Sequence, residues 1–373
     1  MKHGIPSACV GFVATVVLVC LSVPHGTPAC SGQEKSSKQI APTYPDKSNL
    51  MIYKNSSGKS QPIKTEADWL IRRQHILANM QLVMGPLPDL SKKVPLDIKV
   101  SEEIKTPKYV RKLLTFAVSK SDRLPAYLFI PTNLDKKVPA VLCLHPTSRP
   151  HGKKIAAGLE GKSDRHYAKH LAERGYVTLA PDYPNMGGYK YDAYKNGYAS
   201  ATMKAIFNHI RCVDLLQSLP EVDGENIGVI GHSLGGHNSM FVAVFDKRIK
   251  CIVSNCGFCS FPTYYKGNIK GWSHDGYMPR LKNVYDLDPK KVPFDFTEIT
   301  AALAPRAFLA SAPIKDHNFE VEGVKDCIKA AGPIYQLLGA EAKLAAQYPD
   351  CGHDFPDEPR EAAYRWFDRW LKR

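Results

Sequence analysis

Apolar positions in this 373-residue chain change period from segment to segment, and those changes predict the elements. Trp69, Leu70, Ile76, Leu77, Met80 and Val83 recur at helical spacing. Thr65 with Asp68 three residues on has the form of a capping box, and Gly85-Pro86-Leu87-Pro88 ends the run, so a helix is expected between Thr65 and Gly85. Short alternating runs follow: Ile98 and Val100; Leu114, Phe116 and Val118; Tyr127, Phe129 and Pro131. Such runs suit antiparallel pairing. From Pro139 onward continuous apolar stretches alternate with helical ones. Strands are expected at Ala140–Leu144, Tyr176–Ala180, Ile227–Ile230, Cys251–Ser254, Arg306–Ser311 and Ala342–Tyr348. Helices are expected near Ser163–Arg174, Ala199–Leu219, Gly236–Phe245, Val321–Leu338 and Glu361–Leu371. That alternation predicts an α/β fold, with a mostly parallel central sheet, helices on both faces and antiparallel strands at its N-terminal end.

The pattern also sets the domain organisation. Residues 61–373 read as a single domain with an N-terminal helical extension over 61–95. An aromatic-rich insertion over 261–299 carries Tyr264, Tyr265, Trp272, Tyr277, Tyr285, Phe294 and Phe296. Residues 30–60, rich in Ser, Lys, Gln, Pro and Asn, read as an exposed linker. At the front, Lys2, an apolar run from Val10 to Val23 and Thr27-Pro28-Ala29 have the three zones of a secretory signal peptide. A run of that length is shorter than the about 20 residues a spanning helix needs. Cleavage near Ala29 and a secreted or periplasmic location are therefore expected, with no integral membrane span in the mature chain. Lipidation at Cys30 is the competing reading, against which Thr27 and Pro28 make a poor recognition sequence.

Composition changes this picture little. A hydrophobic content of 44% fills a sizeable core. The net charge of +14 is spread over pairs such as Lys92-Lys93, Lys136-Lys137, Lys153-Lys154 and Lys290-Lys291, with no long basic stripe interleaved with aromatics, so nucleic acid is not an expected partner. Among the ten cysteines, Cys256-Gly257-Phe258-Cys259 follows a predicted strand and lacks a thioredoxin-like setting; small buried hydrophobes are the expected role for most of them.

Chemistry concentrates at Ile227–Gly236, a short apolar strand that turns through Gly231-His232-Ser233-Leu234-Gly235 into a helix. The Gly-x-Ser-x-Gly spacing allows a turn tight enough to expose a serine hydroxyl on a strained backbone. Such a hydroxyl needs a base, and the base a carboxylate to orient it. Asp316 follows the predicted strand ending at Ser311, and His353 the one ending at Tyr348. Ser233, Asp316 and His353 thus occur in the order serine, acid, histidine, all at C-terminal strand ends. His317, Asp295, Asp350 and Asp354 are worse placed, and the side chain of His232 is expected to point away from that of Ser233. For the oxyanion, the N–H of Leu234 opens the helix after the nucleophile. Pro146 has no N–H, which leaves Thr147 as the second donor. Arg149, Tyr183, Trp272 and Tyr277 are candidates for lining the substrate. His166 and His170 stand four apart without a third ligand, so neither a metal nor any other cofactor is expected.

From about Tyr109 to Arg373 the chain resembles the α/β-hydrolases. The segments Leu144-His145-Pro146, Ala180-Pro181-Asp182-Tyr183-Pro184, Gly231–Gly236, Asp316-His317 and Gly352-His353-Asp354 resemble the dienelactone-hydrolase-like and acetyl xylan esterase-like branches. The resemblance implies a serine esterase acting on a small-molecule or polysaccharide ester, acetyl esters included, through an acyl-serine intermediate. Two other readings stand beside it. One is a serine peptidase of the prolyl-oligopeptidase kind, disfavoured because no propeller-sized segment precedes the catalytic region. The other is a catalytically silent glycan-binding domain on the same fold.

Overall fold

The alternating apolar segments assemble into a nine-stranded sheet in the computed structural model, which describes Met1 and residues 41–372. Ala41–Arg373 is one compact unit. The expected signal peptide, Cys30 and the first part of the expected linker lie outside the described residues. The rest of that linker is not one. Ile52–Lys54 (β1) and Ser60–Pro62 (β2) pair as an antiparallel hairpin, and Tyr44, Leu50 and Ile63 are buried. Averaging over a polar window hid three well-spaced apolar anchors. The first long helix, α1 (Glu66–Met84), carries the expected capping box: the Thr65 hydroxyl accepts from the Asp68 N–H, and the Asp68 carboxylate accepts from the Thr65 N–H. Its apolar stripe of Trp69, Ile76, Met80 and Val83 is fully buried.

The antiparallel part of the large sheet comes next: β3 (Lys99–Lys105), β4 (Tyr109–Ser119) and β5 (Asp122–Pro131). Strand β3 is exposed along its length and rich in charge, which blunts the sheet edge against pairing with another chain. The parallel part begins with β6 (Val138–Leu144). Then come α2 (Lys153–Ala156), α3 (Tyr167–Glu173), β7 (Val177–Pro181), α4 (Ala201–Ser218), β8 (Val222–His232), α5 (Leu234–Phe245) and β9 (Ile249–Asn255). After the insertion, with α6 (Arg280–Asn283) and α7 (Phe296–Ala302), follow β10 (Ala307–Ser311), α8 (Val321–Leu337), β11 (Leu344–Gln347) and α9 (Asp357–Leu371). The strand order is β11-β10-β9-β8-β6-β7-β5-β4-β3. Within this sheet, among the described residues, the β3-β4, β4-β5 and β5-β7 pairs are antiparallel and the others parallel. The helix expected near Ser163–Arg174 is a single 3-10 turn over Ser163–Arg165 followed by α3, with a break at His166.

Because strand residues alternate faces, each central strand feeds two cores. Leu142, Val229 and Ile252 pack with α4, α5 and α8, through residues such as Ile206, Phe241 and Tyr335. Val141, Ile230 and Val253 face α3 and α9, through Leu171, Tyr364 and Phe367. Both faces are therefore covered, as a parallel sheet requires.

The N-terminal extension is tied to the insertion by charge. Arg72 of α1 and Glu298 of α7 are each 0% exposed and paired at 2.7 Å, and the Arg72 guanidinium stacks on the Tyr44 ring. A buried ion that loses its partner keeps its desolvation cost without compensation. Replacing Arg72→Ala is expected to destabilise the fold by about 3–5 kcal/mol, read as a lowered midpoint in thermal or urea unfolding. An unchanged midpoint would show that the pair does not hold these elements together.

Candidate active site

The turn after β8 shows why the Gly-x-Ser-x-Gly spacing is needed. Ser233 stands at φ 55°, ψ −115°, a left-handed region that a side chain rarely occupies, at a cost of roughly 1–3 kcal/mol. The two glycines serve close approach. A Cβ on Gly231 would meet the Gly235 carbonyl carbon at 2.2 Å, and one on Gly235 would meet the Leu144 carbonyl oxygen at 1.9 Å. The elbow can close only with both side chains missing. The Ser233 N–H donates to the Asn255 carbonyl at 2.9 Å, fixing the elbow to the end of β9.

Asp316 and His353 leave the C-terminal ends of β10 and β11, on the same sheet edge. The Nδ1 of His353 lies 3.0 and 2.9 Å from the two Asp316 oxygens and donates to that carboxylate. Burial pushes the Asp316 carboxyl up, but the bonds from His353 and from the N–H groups of Asn318 and Phe319 outweigh it and hold it below the usual carboxylate range. Ser233 and His353 line one cavity of about 410 Å³. Pro146, Thr147, Arg165 and His232 share its wall, and Tyr264, Trp272, His274, Tyr277, His237, Asn318 and Phe319 complete it. A larger cavity of about 650 Å³ lies between residues 45–51, 289–297 and α8 and is lined by none of Ser233, Asp316 and His353.

Of the sequence candidates, the cavity brings together Ser233, His353, Thr147, Trp272 and Tyr277, with Asp316 behind His353. Leu234 opens α5 directly after Ser233. The Tyr277 and Thr147 hydroxyls lie 2.9 Å apart, joining the insertion to the loop after β6. Two candidates stand outside the lining. Tyr183 is buried beneath it and donates its hydroxyl to the Gly276 carbonyl at 2.8 Å, and Arg149 is exposed. His232 is buried and hydrogen-bonded, and its ring lies 4.8 Å from that of His353 and also reaches the cavity wall. Its Nδ1 accepts from Asn255 at 2.7 Å, and burial holds its pKa well below the usual value, so it stays neutral. Asp295 caps α7, and Asp350 pairs on the surface with Lys315. His166 and His170 bond to separate partners, the Glu160 carbonyl and the Tyr364 hydroxyl. The Cys256 and Cys259 thiols are free and face different groups, the Asp354 carbonyl and Glu320.

Three supporting groups were not foreseen. His145 is buried, donates from Nδ1 to the Pro146 carbonyl at 2.7 Å and accepts the Tyr183 N–H at Nε2, which braces the loop carrying Thr147. Asp182 accepts from the N–H and Nζ of Lys153 and from the Gly188 N–H, with Gly152 and Gly187 pressed against its carboxylate. Chain order offers no signal that Lys153 and Asp182, 29 residues apart, form one brace. The third is a charge cluster behind the histidine. Arg165 Nη2 donates to the His353 carbonyl at 3.2 Å and meets Asp354 at 3.3 Å, and Lys162 meets the other Asp354 oxygen at 2.8 Å.

Within that cluster burial, and then the adjacent Asp354, raises the Asp164 carboxyl to about 6. Burial opposes ionisation of Asp354 too, but hydrogen bonds from Asp164 and Lys162 keep it well below the usual range. A raised carboxyl pKa means that the fold prefers neutral Asp164. Its contribution is full below the unfolded value near 4 and is lost as pH rises toward 6. Asp164→Asn keeps a donor for Asp354 and removes the charge. The variant is expected to match the parent's melting temperature near pH 4 and exceed it above pH 6; parallel melting curves against pH would contradict this.

Comparison with known proteins adds the lineage. A model of the prolyl oligopeptidase family matches residues 162–373. The chain is 24% identical over 300 residues to YtaP of Bacillus subtilis (strain 168), a hydrolase by name, covering 78% of this chain and 96% of that one. It is 25% identical over 221 residues to dipeptidyl-peptidase 5 of Porphyromonas gingivalis (54% of this chain, 30% of that one). It is 26% identical over 226 residues to the acetyl esterase Axe7A of Xylanibacter ruminicola (55% and 48%). The chain thus spans nearly all of YtaP but half or less of the other two. Among solved structures, a glucuronoyl esterase from Solibacter usitatus superposes with a TM-score of 0.68 at 18% identity, over 88% of this chain and 98% of that one. That likeness is one of fold, the α/β-hydrolase fold expected from the sequence.

Proposed function

The chain belongs to the prolyl oligopeptidase family of α/β-hydrolases, and from that premise we propose that it is an exported serine hydrolase that cleaves carboxylic esters of carbohydrates. The observation that carries the reading is Ser233, held on a strained elbow in one cavity with a histidine whose other nitrogen donates to a buried carboxylate. In the proposed reaction His353 Nε2 takes the Ser233 proton as Oγ attacks the ester carbonyl, while Asp316 keeps Nδ1 protonated and stabilises the imidazolium. The Leu234 and Thr147 N–H groups receive the oxyanion. His353 then protonates the departing alcohol, and water activated by the same nitrogen releases the acid from Ser233.

The cavity lining supports the substrate class. Trp272, Tyr264, Tyr277 and Phe319 offer aromatic faces on which a sugar ring can lie, and the buried Trp272 Nε1 has no partner among the described residues. His237 donates Nδ1–H to the Gly257 carbonyl, and burial lowers its pKa to about 3, which leaves Nε2 as a neutral acceptor. The peptidase reading has the family and the dipeptidyl-peptidase 5 likeness in its favour. An aminopeptidase, however, needs an anion for the substrate's free ammonium, and among the described residues no Asp or Glu lines this cavity.

An active-site fluorophosphonate is expected to label the protein and not Ser233→Ala, with ester turnover falling roughly 10⁴–10⁶-fold in that variant. Acetylated and uronate methyl-ester saccharides should be cleaved at least about 100-fold faster than peptide p-nitroanilides, a gap of about 3 kcal/mol in transition-state binding. Faster cleavage of the anilides would hand the reading to the peptidase. Export is tested separately: the mature N-terminus measured by mass spectrometry should begin after Ala29, and an intact Met1 would end that part of the proposal.

A further inference from the structure

Cys256 is a buried nucleophile to which the proposed reaction assigns no task. It follows β9 at φ 46°, is 2% exposed, and donates its thiol to the Asp354 carbonyl at 3.4 Å. One ligand atom from each of Cys256, Asp316 and His353 lies within 4.8 Å of the other two. From this we propose a zinc-type inhibitory metal site built on the back of the catalytic dyad, with Cys256 Sγ, an Asp316 oxygen and His353 Nδ1 as ligands.

The donor set selects the metal. A thiolate, an imidazole and a carboxylate together suit borderline cations such as Zn²⁺ and exclude Mg²⁺ and Ca²⁺, which take oxygen. Ligand bonds of about 2.0–2.3 Å place tetrahedral ligand atoms about 3.3–3.8 Å apart. Cys256 Sγ would close on the other two ligands by up to about 1 Å, while the Asp316–His353 pair, now 2.9–3.0 Å apart, would open by a few tenths of an ångström to admit the ion. Two are held in place independently of the ion: the Asp316 carboxylate accepts from the N–H groups of Asn318 and Phe319, and the Cys256 backbone is pinned by its N–H donating to the Ser311 carbonyl at 2.9 Å.

The consequence for catalysis follows from the imidazole tautomer. In the dyad, His353 carries its proton on Nδ1, leaving Nε2 free to accept from Ser233. When the ion binds, the S–H bond of Cys256 breaks and its proton goes to solvent, while the Nδ1 proton is replaced by the metal and Nε2 takes up a proton in its stead. The neutral imidazole so bound has its hydrogen on the nitrogen that must act as base. The Asp316–His353 hydrogen bond is lost in the same step. No oxidant or reductant is involved, and chelation of the ion reverses the change.

Loss of turnover depends on the ester-hydrolase reading above; metal binding does not, so the two are measured apart. Titration of the full-length protein with CoCl₂ is expected to produce a thiolate-to-cobalt charge-transfer band in the near ultraviolet, removed by excess ZnCl₂ and absent from Cys256→Ala. Separately, ZnCl₂ should suppress p-nitrophenyl acetate hydrolysis reversibly on addition of EDTA. Cys256→Ala should keep its basal turnover and require more zinc by at least the roughly 10–100-fold that loss of an outer-shell partner costs. Cys256→Ser, whose hydroxyl is a poor zinc ligand, replaces it if the alanine variant does not fold. No thiolate band in the parent protein overturns the proposal, as does equal zinc sensitivity in parent and variant.

Discussion

The backbone contact beneath the serine is the constraint from which the rest of the site follows. The helix α5 starts so close to β6 that a single methyl group on Gly235 would sit inside the Leu144 carbonyl. That approach forces the turn, and the turn forces Ser233 into positive φ. The strain is supported by a sheet in which β8 has parallel neighbours on both sides, β6 and β9, and by the Ser233 N–H bonded to Asn255. Two more approaches extend the same logic. Gly236 lies against the Gly257 backbone, which holds α5 at backbone range of the segment after β9, and Gly228 leaves room for the Phe367 ring of α9 to sit directly on β8. A rigid elbow suits the proposed nucleophile, whose hydroxyl would not need to be ordered again at each turnover.

Electrostatics then separates one histidine from several. His145, His232 and His237 are buried without a carboxylate partner, so desolvation keeps them neutral and fixes them as braces or acceptors. His353 alone among the histidines of the cavity has a carboxylate against one nitrogen and open cavity beside the ring. Beside it, Arg165, Lys162, Asp164 and Asp354 tie the segment between α2 and α3 to the loop carrying the histidine. Among the described residues, the cavity wall carries one formal cation, Arg165, and no carboxylate.

The aromatic insertion does two jobs at once. Phe261, Phe294 and Phe296 are fully buried and stack with Phe241 and Phe258 as a packing layer. Trp272 and Tyr277, from the same stretch, reach the cavity. Trp272 and Tyr277 are candidates for the lining from the sequence, but no helical or strand period marks the three phenylalanines as the packing layer. Their assignment depends on which side of α7 and the 3-10 turns each ring falls.

Taken by itself, the sequence determined what is local and periodic. Strand and helix runs, the Thr65-Asp68 cap and the glycine spacing around Ser233 each encode a short-range preference, and apolar period 2 against 3.6 is set by backbone geometry alone. It also determined the order of Ser233, Asp316 and His353, since strands of this topology end on one edge. Tertiary structure decided everything that depends on which distant groups meet. The hairpin within the expected linker exists because Tyr44, Leu50 and Ile63 find α1 and the core. Tyr183 serves the scaffold because its hydroxyl reaches Gly276, and His232 faces the cavity because Asn255 holds its other nitrogen. Those outcomes rest on desolvation and on pairwise contact between residues tens or hundreds of positions apart, which no local pattern carries.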